Sequence, residues 1–214
     1  MPFRIGSLGR ITLDIDPSFL VLIGLFVFSD QEQWGFERAI LWAPVLILSV
    51  LIHELAHALT IQAFGYGGSR IVLLSTGGVT INQRYAKPWQ ELVISLAGPV
   101  SSFVIVGVAW FVFQTQPSFF LSILLISNIY WGLLNLLPVA PLDGGHALLH
   151  LLRTFLAPRT ALNLSVWIGM IVGVLVAIWA VRNDRLLLAV IIAFYAFRNF
   201  QTWRMANPVP DVMK

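Results

Sequence analysis

Three side chains within five residues carry the most chemistry in this sequence. Residues 53–57 read His-Glu-Leu-Ala-His inside the apolar run SVLIHELAHALTI. Side chains four apart on a helix share a face, so His53 and His57 project together and one ion can bridge them. Glu54 follows the first histidine, where it can face a metal-bound water without being a ligand. This is the logic of the His-Glu-x-x-His pattern, two zinc ligands and a general base. The same pattern also arises by chance. Its surroundings argue against chance here, because an ionised carboxylate at the centre of a bilayer costs about 2.5–3.5 kcal/mol or more. No Lys or Arg lies between about 39 and 64 to pair with it.

Two histidines do not complete a catalytic zinc site, which needs a third protein ligand and an open position. The chain has no cysteine, so the third ligand must be His, Asp or Glu. Asp143, His146, Glu91 and His150 lie in or near apolar segments. Asp143 would give a two-histidine, one-carboxylate site. It could equally cap a helix beginning near Gly144, and His146, three residues on, lies on a similar face. Spacing leaves these choices open.

The elements that must position these groups are apolar. Hydrophobic residues make up 58% of the 214 and charged residues 11%, against about 25% charged in an ordinary globular domain. Long uncharged runs must face lipid or one another. Apolar segments fall at about 17–29, 39–64, 90–113, 118–137, 163–181 and 186–200. The expected fold is an α-helical integral membrane protein of about six transmembrane helices. Residues 3–15 read as two short strands around a turn, and 70–82, around Thr76-Gly77-Gly78, as a β-hairpin between spans two and three. Gly98 and Pro99 should loosen or kink the third span. The segment LLPVAPLDGGHALLHLLRTF is rich in Pro and Gly and then amphipathic. One membrane-embedded domain over 1–214 is expected, with no repeat, no low-complexity tract and no signal peptide.

The net charge is +3. Its basic residues are scattered, with no basic helix or patch, so nucleic acid is not an expected partner. Arg70, Arg84, Lys87, Arg153, Arg159, Arg204 and Lys214 fall on one predicted side, and the acidic Asp30, Glu32 and Glu37 on the other. The positive-inside bias puts the basic side in the cytoplasm, although Arg182 and Arg185 would then sit outside. Trp34, Trp89, Trp131 and Trp203 lie near span ends, as interfacial aromatics do.

HELAH at 53–57 and NLLPVAPLDGG at 135–145 together resemble the site-2 protease family of intramembrane zinc metalloproteases. The segment at 135–145 is similar to that family's NxxPxPxxDG signature, with Pro138 and Pro141 three apart rather than two. Asn135 and Asp143 keep the expected eight-residue offset. AGP at 97–99 and TGGV at 76–79 are also similar. The resemblance implies that Asp143 is the third ligand to one zinc ion, that Glu54 activates water, and that Asn135 helps hold the substrate or the oxyanion. An amide inside an apolar span could instead bond a neighbouring helix. The resemblance further implies a minimal member without the family's PDZ and CBS additions. It implies cleavage of membrane-spanning or membrane-proximal proteins. The absence of organelle signals and a compact core suggest a prokaryotic inner membrane, and the positive-inside bias puts the site toward the cytoplasm. Two rivals come from other classes. An ion transporter would spread polar residues over several spans, and a non-catalytic zinc-binding adaptor would close the fourth zinc position with a protein ligand such as His146.

Overall fold

The computed structural model describes residues 2–82 and 86–207, the side chains of 29–34 excepted. Arg84, Lys214 and the side chains of Asp30, Glu32 and Trp34, invoked above for orientation, lie outside the described residues. The chain runs β1 (Phe3–Leu8), β2 (Ile11–Ile15), α1 (Ser18–Trp34), α2 (Phe36–Ala39), α3 (Trp42–Ala63), β3 (Ser69–Leu74), β4 (Gly77–Asn82), α4 (Pro88–Phe113), α5 (Phe119–Asn135), α6 (Asp143–Phe155), α7 (Pro158–Arg182) and α8 (Leu186–Ala206). Both expected strand pairs form.

Among the described residues four helical stretches are long and apolar enough to cross a bilayer: Phe36–Ala63, Pro88–Phe113, Pro158–Arg182 and Leu186–Ala206. Ser18–Phe28 and Phe119–Asn135 are apolar but shorter. All six expected apolar segments are therefore helical, while four have full spanning length. The reason is geometric. At 1.5 Å per residue the 17 residues of α5 reach about 25 Å, short of a hydrocarbon core of about 30 Å. Phe111, Ile171, Leu175, Val190 and Phe194 are among many large apolar side chains left exposed. That much apolar surface suits lipid and not water, and the protein is an integral membrane protein.

The chain divides into two compact units, one from the N-terminus to Ala86 with Leu96–Leu133, the other Lys87–Ser95 with the residues from Leu134 onward. In the first, a four-stranded sheet has the order β1-β2-β3-β4. The two hairpins join through the parallel pair β2–β3, with Asp14 opposite Val72. Arg70 Nε donates to Asp14 Oδ2 at 2.6 Å, so the buried carboxylate is paired within the sheet. Phe19, Val50, Ala58, Ile71 and Leu73 bury the seam between this sheet, α1 and α3. A further cluster of Val27, Trp42, Val45, Leu46 and Ile123 ties α1, α3 and α5 together.

The other unit is built on α7 and α8. Ile192 and Tyr195 of α8 pack on Val139 and Leu142 from the proline-rich connection between α5 and α6. That connection contains a cis Ala140–Pro141 bond. The amphipathic stretch expected after the fourth span is α6.

Candidate metal centre

α3 contains no glycine and its only proline, Pro44, lies in its first turn, where a missing N–H is tolerated. It runs unbroken past His53, Glu54 and His57, which are 2%, 5% and 6% exposed. Helical period alone stacks the two imidazoles. Their ring centroids are 5.0 Å apart, edge to face, and each offers a ligand nitrogen within 4.8 Å of the other.

α4 determines which nitrogens those are. Ser102, fully buried, places its Oγ 3.1 Å from His53 Nδ1. That bond engages Nδ1 and leaves Nε2 to face the other imidazole. One turn earlier on the same helix face stands Gly98. A Cβ built there would lie 2.5 Å from His53 Nε2 and closer still to His57 Nε2. Both Nε2 atoms therefore converge on the bare backbone of α4, and glycine is what leaves room for them. α4 continues through Gly98 and Pro99 as one helix of 26 residues. Ser101 Oγ also donates to the Gly98 carbonyl at 2.7 Å.

The hairpin sets the carboxylate. Thr80 Oγ1 lies 2.8 Å from Glu54 Oε2 and 3.0 Å from the Glu54 carbonyl, so one hydroxyl addresses both side chain and backbone. A Cβ at Gly78 would come 2.7 Å from Glu54 Oε1. Residues two apart on a strand share a face, so Gly78 and Thr80 form one surface shaped to this carboxylate.

In the unit built on α7 and α8, Asn135 is the last residue of α5, half-buried. Asp143 is the first residue of α6, with the N-cap position on Leu142 and no side-chain capping bond there. Asp143 is thus not the capping residue that spacing allowed. An acid in the first turn suits the helix dipole. Of the other ligands considered, His146 is exposed on α6 and His150 is half-buried, its Nδ1 without a hydrogen-bond partner. Burial holds the His150 imidazole below its ordinary value, and the Glu91 charge opposes this. Among the described residues His146, His150 and Glu91 do not form a three-ligand group.

Ser102 and Thr80 were missed from sequence. Two signals pointed to them: Ser102 is four residues past Gly98, and Thr80 is two past Gly78. Two buried imidazoles with converging Nε2 atoms, one fixed through its other nitrogen, are the donor set and support that zinc takes. These residues fit the ion.

The M50B-like peptidase family profile matches residues 19–136, and the peptidase family M50 profile matches 113–177. A Synechocystis protein named as a putative zinc metalloprotease is 30% identical over 68% of this chain and 42% of its own length. The zinc metalloprotease of Methanocaldococcus jannaschii is 29% identical over 95% of this chain and 61% of its own. The chain thus spans about two-fifths to three-fifths of these relatives. The solved structure of the site-2 protease from Methanocaldococcus jannaschii superposes over 100% of both chains with a TM-score of 0.69 at 24% identity, a likeness of fold.

Proposed function

The chain belongs to the M50B-like peptidase family, the site-2 proteases, and on that footing we propose that it is an intramembrane zinc metalloprotease. It hydrolyses peptide bonds of membrane-spanning or membrane-proximal proteins, with 1–214 acting as a single membrane-embedded domain. The observation that carries this reading is the convergence of two imidazole Nε2 atoms beside Gly98, with the Glu54 carboxylate next to them on the same helix and held by Thr80.

His53 and His57 would hold the ion, with Asp143 as the third ligand. For Asp143 the support is its eight-residue offset from Asn135, its place at the start of α6, and the need for a third donor in a chain without cysteine. When bound, zinc supplies Lewis acidity toward water and toward the scissile carbonyl. The remaining work falls to the chain. Glu54 takes the proton from the attacking water and returns it to the leaving amine. The bond from Thr80 to Oε2 holds the carboxylate in place for that exchange. Asn135 donates its amide N–H to the oxygen that becomes anionic. His53, Glu54 and His57 are buried away from bulk water, so their interactions act in a low dielectric.

A substrate helix hides its carbonyls in its own hydrogen bonds and must be extended before attack. Among the described residues β4 is the edge strand of the sheet, next to β3, and its outer edge can receive an extended segment beside Glu54. The basic residues Arg70, Lys87, Arg153, Arg159 and Arg204 support, through the positive-inside bias, a site toward the cytoplasmic side, and the setting proposed with it is a prokaryotic inner membrane.

The test is a purified protein in detergent, with zinc counted and a single-span substrate offered to the wild type, Glu54→Gln and Asp143→Asn. Zinc retained and cleavage lost in Glu54→Gln, with zinc weakened in Asp143→Asn, supports the protease. Zinc bound without cleavage by the wild type points to the adaptor, and absence of zinc in the wild type removes the metalloprotease reading.

A further inference from the structure

α7 and α8 carry none of the residues assigned to chemistry, yet a buried amide on α8 reaches the connection that ends in Asp143. Asn199 of α8 is 3% exposed. A buried amide is costly unless it is bonded. Its two N–H groups are both used. Nδ2 donates to the Tyr195 carbonyl of its own helix at 2.9 Å and to the Ala140 carbonyl at 2.8 Å. Among the described residues the Ala140 carbonyl takes its hydrogen bond from Asn199 alone.

The surroundings are built for this contact. Val139, next to Ala140, is fully buried against Ile192 and Tyr195, two turns and one turn before Asn199. On α7, a Cβ at Gly169 would lie 2.8 Å from the Pro138 carbonyl and 3.1 Å from Asn199 Oδ1, so only glycine lets the connection and the amide meet there. The hold passes onward to α6. Leu142 N donates to the Val139 carbonyl at 2.9 Å and Gly145 N to the Leu142 carbonyl at 3.0 Å. A Cβ at Gly145 would collide with the Ala140 backbone, which packs the first turn of α6 directly on the residue that Asn199 holds.

We infer that Asn199 is a positioning residue for the metal centre: through the Ala140 carbonyl it fixes the turn that presents Asp143. This rests on the reading of Asp143 as the third ligand. α8 thereby takes part in metal binding although its own side chains touch no ion.

The experiment uses the whole chain in detergent and compares Asn199→Leu, Asp143→Ala and Asn163→Ala. Asn163 accepts from Asn207 Nδ2 at 2.8 Å and joins α7 to the end of α8 away from this connection, so its variant controls for a general loosening of the two helices. Zinc affinity is read by chelator competition, the cobalt-substituted protein by its visible absorption, and the Leu142 amide by hydrogen exchange. Asn199→Leu is expected to weaken zinc by about 10–100-fold, to alter the cobalt spectrum and to speed Leu142 exchange, while Asn163→Ala changes none of these. Wild-type zinc affinity and an unchanged cobalt spectrum in Asn199→Leu would overturn the inference, as would an equal effect from Asn163→Ala. If Asp143→Ala binds zinc like the wild type, the ligand assignment itself fails and the inference falls with it. Should Asn199→Leu not fold, Asn199→Ala reads the same quantities.

Discussion

The residues proposed for the metal centre and its base are presented in two different ways. His53, Glu54 and His57 ride on one helix, and the spacing of 3.6 residues per turn fixes their relation before anything else folds. α4 and β4 then refine them with one side chain each, Ser102 to His53 and Thr80 to Glu54. Asp143 starts a helix whose position depends on a proline-rich turn. That turn is held from 59 residues away in sequence by Asn199. Residues within one helix are robust to distant change, whereas a residue at the very start of a helix inherits the stability of whatever packs on the turn before it.

The largest expected effect tests whether α3 carries the chemistry at all. Glu54→Gln should lower cleavage by about 100-fold or more with zinc content unchanged by metal analysis. Equal cleavage by both proteins would separate this helix from the reaction. Next, Ser102→Ala should weaken zinc by about 10–100-fold by freeing the His53 ring to turn, while Ser102→Thr, which keeps a hydroxyl, should recover most of it. If Ser102→Ala has no effect on zinc, the helix alone orients its ligands and the contrast with the loop becomes sharper. Thr80→Val should cut turnover by about tenfold, the scale of a hydrogen bond to a charged group, with zinc affinity intact. A parallel loss of zinc would mean that the strand supports the ligands and not only the base.

The smallest effect lies on α6. Burial lowers the His150 pKa, reinforced by the Arg153 and His146 charges and opposed by Glu91. The unfolded chain therefore takes up this proton first as pH falls. Stability from this group is intact above the ordinary imidazole value of about 6.5, declines as pH drops from there to the lowered folded value, and is level below it. Thermal melts across pH should show that slope in the wild type and a flatter one in His150→Gln.

What was legible in the sequence follows the same division. The alternation and turn residues of 3–15 and 70–82 gave both hairpins, because strand patterning and Gly-rich turns are local signals. The six apolar runs are helical and the first, at 17–29, is short for a crossing already in the sequence, but the shortness of α5 was not readable, since hydropathy marks a run and not the thickness it must match. His53, Glu54 and His57 were readable from period alone. Ser102 and Thr80 were not, because a serine among small residues and a threonine in a hairpin have ordinary uses that only neighbours across the fold can exclude. The parallel pairing of β2 with β3 was also hidden, since it joins segments separated by α1 and α3. Asn199 in sequence is an ordinary amide near the end of the last span, and only its contact with Ala140 shows its use.

Gly78 and Thr80 share one face of β4, and β4 is zipped to β3 with Gly78 opposite Leu73 and Thr80 opposite Ile71. The side-chain period of a strand is two. A slip of a single residue along that ladder would swing Val79 toward Glu54, replacing a hydroxyl and an empty notch with an isopropyl group. Alignment of two backbones thus doubles as a setting on the Glu54 side chain, with only one notch on the dial compatible with a carboxylate held by Thr80.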